Sequence, residues 1–257
     1  MRLAILTSMR RGFASRCLPV LCGTPGLEVA RVFLQHNAMP RSWPFLKRKI
    51  RKAFRIGPLG VLNGIRLREW YRDKGAEDLA DVCEMLGIDL VQTDYVNSGR
   101  TKDLLSECLP DLGLSLGNGY ISSTILSIPR YGMINVHTEL LPRFQGAYGV
   151  IWPIYEGIRE TGFTVHQMDS HIDTGPILFR AQYGIEFRET LRQTVEVNLE
   201  KARRHVPEAV AYVCSNYEKL RADAEVQAIG KAYTTPSIWQ FLRMLRNHRR
   251  LAFADKT

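Results

Sequence analysis

The sequence has no apolar run near the ~18 residues that a membrane-spanning helix requires, so no segment is expected to cross a bilayer. It has no C-x-x-C pair. The five cysteines, Cys17, Cys22, Cys83, Cys108 and Cys214, are odd in number and irregularly spaced. That excludes a zinc ribbon or dithiol redox motif and fits buried thiols in a reducing compartment. The opening MRLAILTSMRRGF has too short an apolar stretch, and no small-residue cleavage site, for a secretory signal. A cytoplasmic location is expected. Internal repeats and low-complexity stretches are missing as well. What remains is ordinary globular composition: 257 residues, 45% hydrophobic and 24% charged. That suits one large domain, with or without a small appendage.

Acid is scarce where base is dense. Segment 41–56, RSWPFLKRKIRKAFRI, carries seven Lys or Arg and no acid, and segment 241–250 carries four Arg and no acid. The whole chain is at +9, so outside these two segments it is at −2. The basicity is local. It suits a solvated helix face, a phosphate-bearing ligand, nucleic acid or an anionic membrane surface.

Apolar patterning alternates between short strands and helices. Leu3 to Leu6 reads as a buried strand, followed by a polar turn and a helix to about Leu21. Strands are predicted over 27–34, 88–94, 112–118 and 133–140, then 161–169 and 175–185 joined by a tight loop. Helices are predicted around Ile50 and Phe54 and over 60–73, 76–86, 99–108, 122–127, 189–216 and 236–250. Alternating strands and helices imply βαβ units. The expected fold class is α/β: a Rossmann-like, mostly parallel twisted sheet with helices on both faces. A catalytic domain is expected over 1–186 and a small, mostly helical C-terminal extension over 187–257. In such sheets ligands bind beyond the carboxyl ends of the strands.

The chemistry-bearing residues concentrate in 133–178. Asn135 and His137 are two apart on a predicted strand, so their side chains share a face. An amide donor beside an imidazole at a strand end can address one reacting oxygen and one reacting proton. Pro142 and Gly146 turn the chain in the following loop. Asp173 sits in the turn DTGP, where a carboxylate can be held near the imidazole. Singly, each is ordinary; the joint pattern carries the reading. His166 and His171 flank the Asp turn and read as structural or solvent-facing. No cluster of metal ligands is visible in the sequence.

That pattern resembles the folate-dependent formyltransferases, whose core is Asn-x-His, then Leu-Leu-Pro-x-x-x-Gly, then a downstream Asp-x-Gly. Here these are Asn135-Val136-His137, Leu140 to Gly146, and Asp173-Thr174-Gly175. The flanking words GMINVH, TGFTVHQMD and IDTGPIL are similar to the family as well, across roughly 112–180. The resemblance implies that an amine attacks the formyl carbon of 10-formyltetrahydrofolate, with no metal required. It implies an oxyanion donor in Asn135, a proton shuttle in His137, and in Asp173 a group that sets the histidine's protonation and helps deprotonate the amine. It also implies that folate lies against Gly119, Tyr120 and Ile121 and against the loop holding Asp169 and Ile172.

Family members formylate different amines, and a formyltetrahydrofolate hydrolase shares the core. The hydrolase usually carries an N-terminal regulatory module, whereas here the core begins at residue 2. The methionyl-tRNA enzyme carries a C-terminal barrel, whereas residues 187–257 follow the core here. The glycinamide ribonucleotide enzyme carries a Gly-rich phosphate loop, in place of which stands Thr7-Ser8-Met9-Arg10-Arg11-Gly12. The chain is similar to the bacterial nucleotide-sugar N-formyltransferases, and more narrowly to the branch that formylates GDP-perosamine for lipopolysaccharide O-antigen. Ser8, Arg10, Arg11 and Trp152 are the expected substrate contacts, the arginines gripping a diphosphate. Two solvated arginines at a helix start fit the loop equally well. Trp152, Tyr233 and Trp239 are candidates to stack on the base, or to serve the core or an interface. Ile238, Phe241, Leu242 and Leu245 lie at helical spacing and suit either the core or a homodimer contact. The competing readings are a methionyl-tRNA enzyme holding RNA with its basic patches, and a binding protein that has lost catalysis. The presence of Asn135, His137 and Asp173 argues against the second.

Overall fold

The computed structural model describes residues 1–36 and 43–253. Strands are β1 (Arg2–Thr7), β2 (Glu28–Gln35), β3 (Leu90–Thr93), β4 (Leu112–Ser115), β5 (Met133–His137), β6 (Gln145–Gly146), β7 (Glu160–Gln167), β8 (Ile177–Gly184) and β9 (Ala232–Tyr233). Helices are α1 (Phe13–Gly23), α2 (Trp43–Trp70), α3 (Leu79–Leu86), α4 (Gly99–Glu107), α5 (Ser123–Leu126), α6 (Ile151–Glu156), α7 (Leu191–Ser215), α8 (Tyr217–Ala222) and α9 (Ile238–Phe253). Seven strands form one sheet in the order β3-β2-β1-β4-β5-β7-β8. The first five are mutually parallel, β7 runs antiparallel to β5, and β8 antiparallel to β7. This is the expected Rossmann-like, mostly parallel sheet.

The helices start and stop where the sequence supplies caps. The Asp78 carboxylate accepts from the Ala80 amide at the start of α3, and Gly87, in the left-handed region, ends it. Ser98 caps α4, and Thr190 with Gln193 forms a reciprocal capping box on α7. The basic segment 41–56 opens α2, although Arg41 and Ser42 lie outside the described residues, as do the side chains of Arg48, Lys49 and Lys52. Its amphipathic run and the helix predicted over 60–73 join into one element, broken at Gly57 (φ 70°), with Pro58 next. MINVHTEL is a strand only as far as His137; the chain then turns into the loop that frames the site. The short elements α6, α8, β6 and β9 were invisible to pattern reading, since each is too short to show a period.

Three apolar clusters hold the sheet. The largest joins strand residues such as Leu3, Ile5, Leu114 and Val165 to α1, α3 and the inner face of α7, including Ala202, Val206 and Val210. A second joins Leu67, Trp70, Trp152, Tyr233, Phe241 and Met244, and so packs α2, α6 and α9 together. A third joins Ala4, Phe33, Ile121 and Ile125. Cys17, Cys83, Cys108 and Cys214 are buried, and all five thiols are free. Burial pushes the Cys17 thiol far up, which suits packing rather than reactivity.

One ionic joint crosses these layers. Arg16 on α1 donates to both oxygens of Asp73 at 2.8 Å and to Glu200 on α7. Arg203 adds a 3.5 Å contact to the same Asp73, which is almost fully buried. Removing the carboxylate would leave two largely buried cations sharing only the partly exposed Glu200. Asp73→Ala is expected to lower the unfolding free energy by about 3–5 kcal/mol in urea titrations. A loss within about 1 kcal/mol, as for exposed pairs, would show the joint to be solvated.

Candidate active site

The site lies at the carboxyl ends of β4 and β5, where the parallel part of the sheet meets antiparallel β7. Asn135 and His137 share a face of β5, as the two-residue period requires. Asn135 stands opposite His166, and His137 opposite Thr164. The register therefore puts a second imidazole beside the first. Of the two histidines expected to be structural or solvent-facing, His166 is buried and lines the cavity, and His171 is exposed on the rim.

Asp173 enters between the two rings. Its Oδ2 is 3.4 Å from His137 Nδ1, and its Oδ1 is 3.5 Å from His166 Nε2. The Asn135 side-chain nitrogen lies 3.2 Å from that same His166 Nε2. The outer nitrogens of both rings meet carbonyls: His137 Nε2 is 2.6 Å from the Phe144 oxygen, and His166 Nδ1 is 2.9 Å from the Gln167 oxygen. A carbonyl can only accept, so each outer nitrogen carries the proton. A neutral ring then presents its lone pair to Asp173, and a ring that takes a proton presents a donor. The cluster is a prepared slot for one proton.

Burial pulls the His137 imidazole below its ordinary range, against the charge of Asp173, which acts the other way. Burial works against the charge on Asp173 too. Hydrogen bonding and charge from the imidazoles, with the Gly146 amide donating at 2.9 Å, nevertheless hold it below the usual carboxylate range. Asp173 is held at φ 55°, uncommon for a residue with a Cβ, and such conformations cluster at functional sites. Gly146 cannot be replaced without disturbance: at φ 106°, an added Cβ would collide with the Tyr233 backbone across the β6–β9 pair.

A cavity of about 550 Å³ opens over this cluster, a size that admits a small-molecule ligand. Gly119, Tyr120, Ile121, Asp169 and Ile172, the expected folate contacts, all line it. Asp169 shapes its own loop, accepting from the His171 amide and the Thr174 hydroxyl. Asn118 was missed by sequence reading. Its Nδ2 donates to the Leu6 carbonyl and to Ser115, which leaves a buried Oδ1 without a partner on the cavity wall. An orphaned acceptor in a cavity also lined by apolar Ile121 and Met168 suits a ligand that brings a hydrogen-bond donor.

The opposite wall holds Phe13, Tyr71, Asp73, Tyr148 and Arg203, none of which the sequence reading had singled out. The expected substrate contacts lie elsewhere. Trp152 is buried in the second cluster and donates to the Ala147 carbonyl, so its large apolar ring went to the core. Ser8 donates to the Gly117 carbonyl, and Arg10 pairs with Asp78 at 3.0 Å. Neither they nor Arg11 line the cavity, although their loop neighbours Met9 and Gly12 do. Tyr233 and Thr234 do line it, while Trp239 is exposed away from it.

Glu139, two residues past His137, is also buried. It accepts from the amides of Leu140 and Val150 and from the Thr161 hydroxyl, pinning both ends of the loop that carries the Phe144 carbonyl. Among the described residues, no group of three His, Cys, Asp or Glu is placed to hold a metal, and no helix is long and apolar enough to cross a membrane.

Comparison with known proteins points to one class. Residues 102–210 match the formyl transferase family model, and this segment contains Asn135, His137 and Asp173. The chain is 37% identical over 105 residues to a methionyl-tRNA formyltransferase of Geobacter metallireducens, an alignment covering 40% of this chain and 34% of that protein. The matched region thus spans about a third of the curated relative. Two solved structures share the fold. A phosphoribosylglycinamide formyltransferase from Bacillus halodurans has a TM-score of 0.57 at 20% identity, covering 86% of this chain and 98% of its own. An N-formyltransferase from Helicobacter canadensis, in complex with folinic acid and dTDP-3-aminofucose, has a TM-score of 0.56 at 14% identity, covering 99% and 82%.

Burial drives the Glu139 carboxyl up to about 7, against the hydrogen bonds from Val150, Leu140 and Thr161. Its folded value thus lies above its ordinary 4.5. The stability that this group contributes is fully present below that ordinary range and is lost as pH rises through about 7. The wild type is expected to lose about 3 kcal/mol relative to Glu139→Gln between those limits. Urea titrations of both proteins across that range measure it. A flat difference would mean that Glu139 keeps one protonation state throughout.

Proposed function

We propose that this protein is an N-formyltransferase that moves the formyl group of 10-formyltetrahydrofolate onto the amine of a nucleotide-linked amino sugar. The observation that carries the reading is the meeting of Asn135, His137 and Asp173 at one end of a cavity whose wall holds the unpartnered Asn118 acceptor. The match of residues 102–210 to the formyl transferase family supports the reaction class.

Asn118, Gly119 to Ile121 and the loop from Asp169 to Ile172 would hold the folate, which supplies an electrophilic formyl carbon when bound. The Asn135 amide would donate to the oxygen on which charge builds. His137 Nδ1, facing Asp173, would take up the proton that the amine sheds and return it to the folate nitrogen as that nitrogen's bond to the formyl carbon breaks, and the carboxylate would stabilise the ring while it is charged. An amine arrives as an ammonium and must lose a proton before it attacks; the Asp173 slot is where that proton goes. Arg10 and Arg11, on the loop whose Met9 and Gly12 line the cavity, are proposed to meet the diphosphate from the rim.

The amino-sugar reading draws support from the Helicobacter canadensis structure, which is covered by nearly the whole of this chain. GDP-perosamine is the sugar we place first. The likeness to a methionyl-tRNA formyltransferase favours a second reading, in which that tRNA is the acceptor.

The test is a turnover assay read by mass spectrometry, with 10-formyltetrahydrofolate and a panel of GDP-, dTDP- and UDP-linked amino sugars alongside methionyl-tRNA. One formylated sugar is the expected result; a formylated tRNA with every sugar untouched would overturn it. Asn135→Ala should lower kcat by about 10²–10³, equal to about 2.7–4 kcal/mol of barrier. His137→Ala and Asp173→Asn should each remove most turnover while folate binding survives. Near-normal rates in either would take that residue out of the mechanism.

A further inference from the structure

Helices α2 and α9 concentrate the chain's positive charge. Between Trp43 and Trp70 there are eight Lys or Arg against the single acid Glu69, and α9 has four Arg and no acid. Their net +7 and +4 leave the rest of the chain at −2. The two helices are neighbours in space. Trp70 and Phe241 stack 6.0 Å apart, and the guanidinium of Arg66 lies over both rings.

The inner face of the second half of α2 is spoken for. Gly60, Asn63, Gly64, Leu67 and Trp70 are buried at helical spacing, with Gly64 tight against the Thr235 side chain. The outer face should then be polar, and it is not. Phe54 is 83% exposed and Leu62 63%, with Leu59 and Ile65 beside them, and on α9 Trp239 is 78% exposed next to Leu242. Between these apolar groups stand the exposed cations Arg51, Arg55, Arg66, Arg243 and Arg246. A helix apolar on both faces has a second partner.

Charge decides among the occupants. A second copy of this chain across a two-fold axis would set the same cations against themselves. RNA would take the cations and an aromatic ring or two, but offers nothing to the aliphatic row Leu59, Leu62 and Ile65. An anionic bilayer interface takes both: apolar side chains enter the acyl boundary while Lys and Arg sit among the phosphates. We infer that the combined α2–α9 face docks the protein peripherally on an anionic lipid surface. The face adjoins the site, since Arg55 donates to Thr234, which lines the cavity.

The experiment is flotation of the full chain with vesicles of phosphatidylglycerol mixed into phosphatidylcholine, and with phosphatidylcholine alone. The protein should float with the anionic vesicles only, and Trp239 emission should shift to the blue, a shift absent in Trp239→Phe. Phe54→Ser, and separately Leu62→Ser with Ile65→Ser, should each weaken flotation by about tenfold or more. Thermal unfolding checks that each variant keeps its fold, and the single exposed Phe54→Ser serves if the pair does not. Absence of flotation with anionic vesicles, or flotation indifferent to the apolar substitutions, overturns the inference. So does a dimer in sedimentation that Leu62→Ser dissociates, or RNA binding that Phe54→Ser and Leu62→Ser with Ile65→Ser abolish while vesicle binding persists.

Discussion

The site depends on the pairing of β5 with β7 in the register that sets Asn135 opposite His166. Parallel strands to one side of β5 bring loops and helices to its carboxyl end, as any doubly wound sheet does. The reversal at β7 supplies what a wholly parallel sheet would not: a strand whose residues enter the carboxyl end of β5 directly as cross-strand neighbours. A shift of that register by one residue would turn His166 to the opposite face. Asp173 would then face one imidazole instead of two. The Asp turn lies in the connection from β7 to β8, which leaves β7 beside the amino end of β5 and brings Asp173 within 3.4 Å of His137.

The proton arrangement has its own economy of groups. Each ring is oriented by a backbone carbonyl on its outer nitrogen, and these carbonyls come from unrelated places: Phe144 in the loop after β5, and Gln167 at the end of β7. The rings cannot exchange tautomers without losing those bonds, so the nitrogens facing Asp173 are set by the fold rather than by substrate. Phe144 itself sits in a loop tied down by Glu139 to Leu140, Val150 and Thr161, and by Thr164 to Leu141. The loop therefore acts at one remove on the His137 ring, through a carbonyl that it holds in place.

Much of this was legible in the sequence. Strands β1, β4 and β5 announce themselves as apolar runs, α4 and α7 as the helices expected over 99–108 and 189–216, and Asn135, His137 and Asp173 by their order. The closeness of His166 to Asp173 was not legible because cross-strand register is a relation between two segments, and no periodicity within TGFTVHQMD reveals its partner. Asn118 was missed because an amide in a loop after a strand looks like turn chemistry until its unpaired oxygen is seen. Trp152 was assigned to substrate because aromatic rings suit both base stacking and cores, and only the packing of α6 on α9 decides between them. The break at Gly57 falls between the helix expected around Ile50 and Phe54 and the one expected over 60–73, although the chain resumes as helix directly after it.

Charge is segregated by depth as well as by position. Three acids, Asp73, Glu139 and Asp173, are buried at or near the cavity. Asp73 is matched by Arg16 and Arg203, Glu139 by amides and a hydroxyl, and Asp173 by imidazoles, so the interior contributes little net positive potential. The excess lies outside, on α2 and α9. An anionic substrate would therefore find its positive field at the rim and beyond, while the reacting centre keeps an ionised carboxylate in low dielectric. Those are opposite requirements. A cationic interior would hold phosphate well, but it would lower the affinity of the Asp173 slot for the proton that an attacking amine must shed. Placing the cations on separate helices lets one small domain meet both.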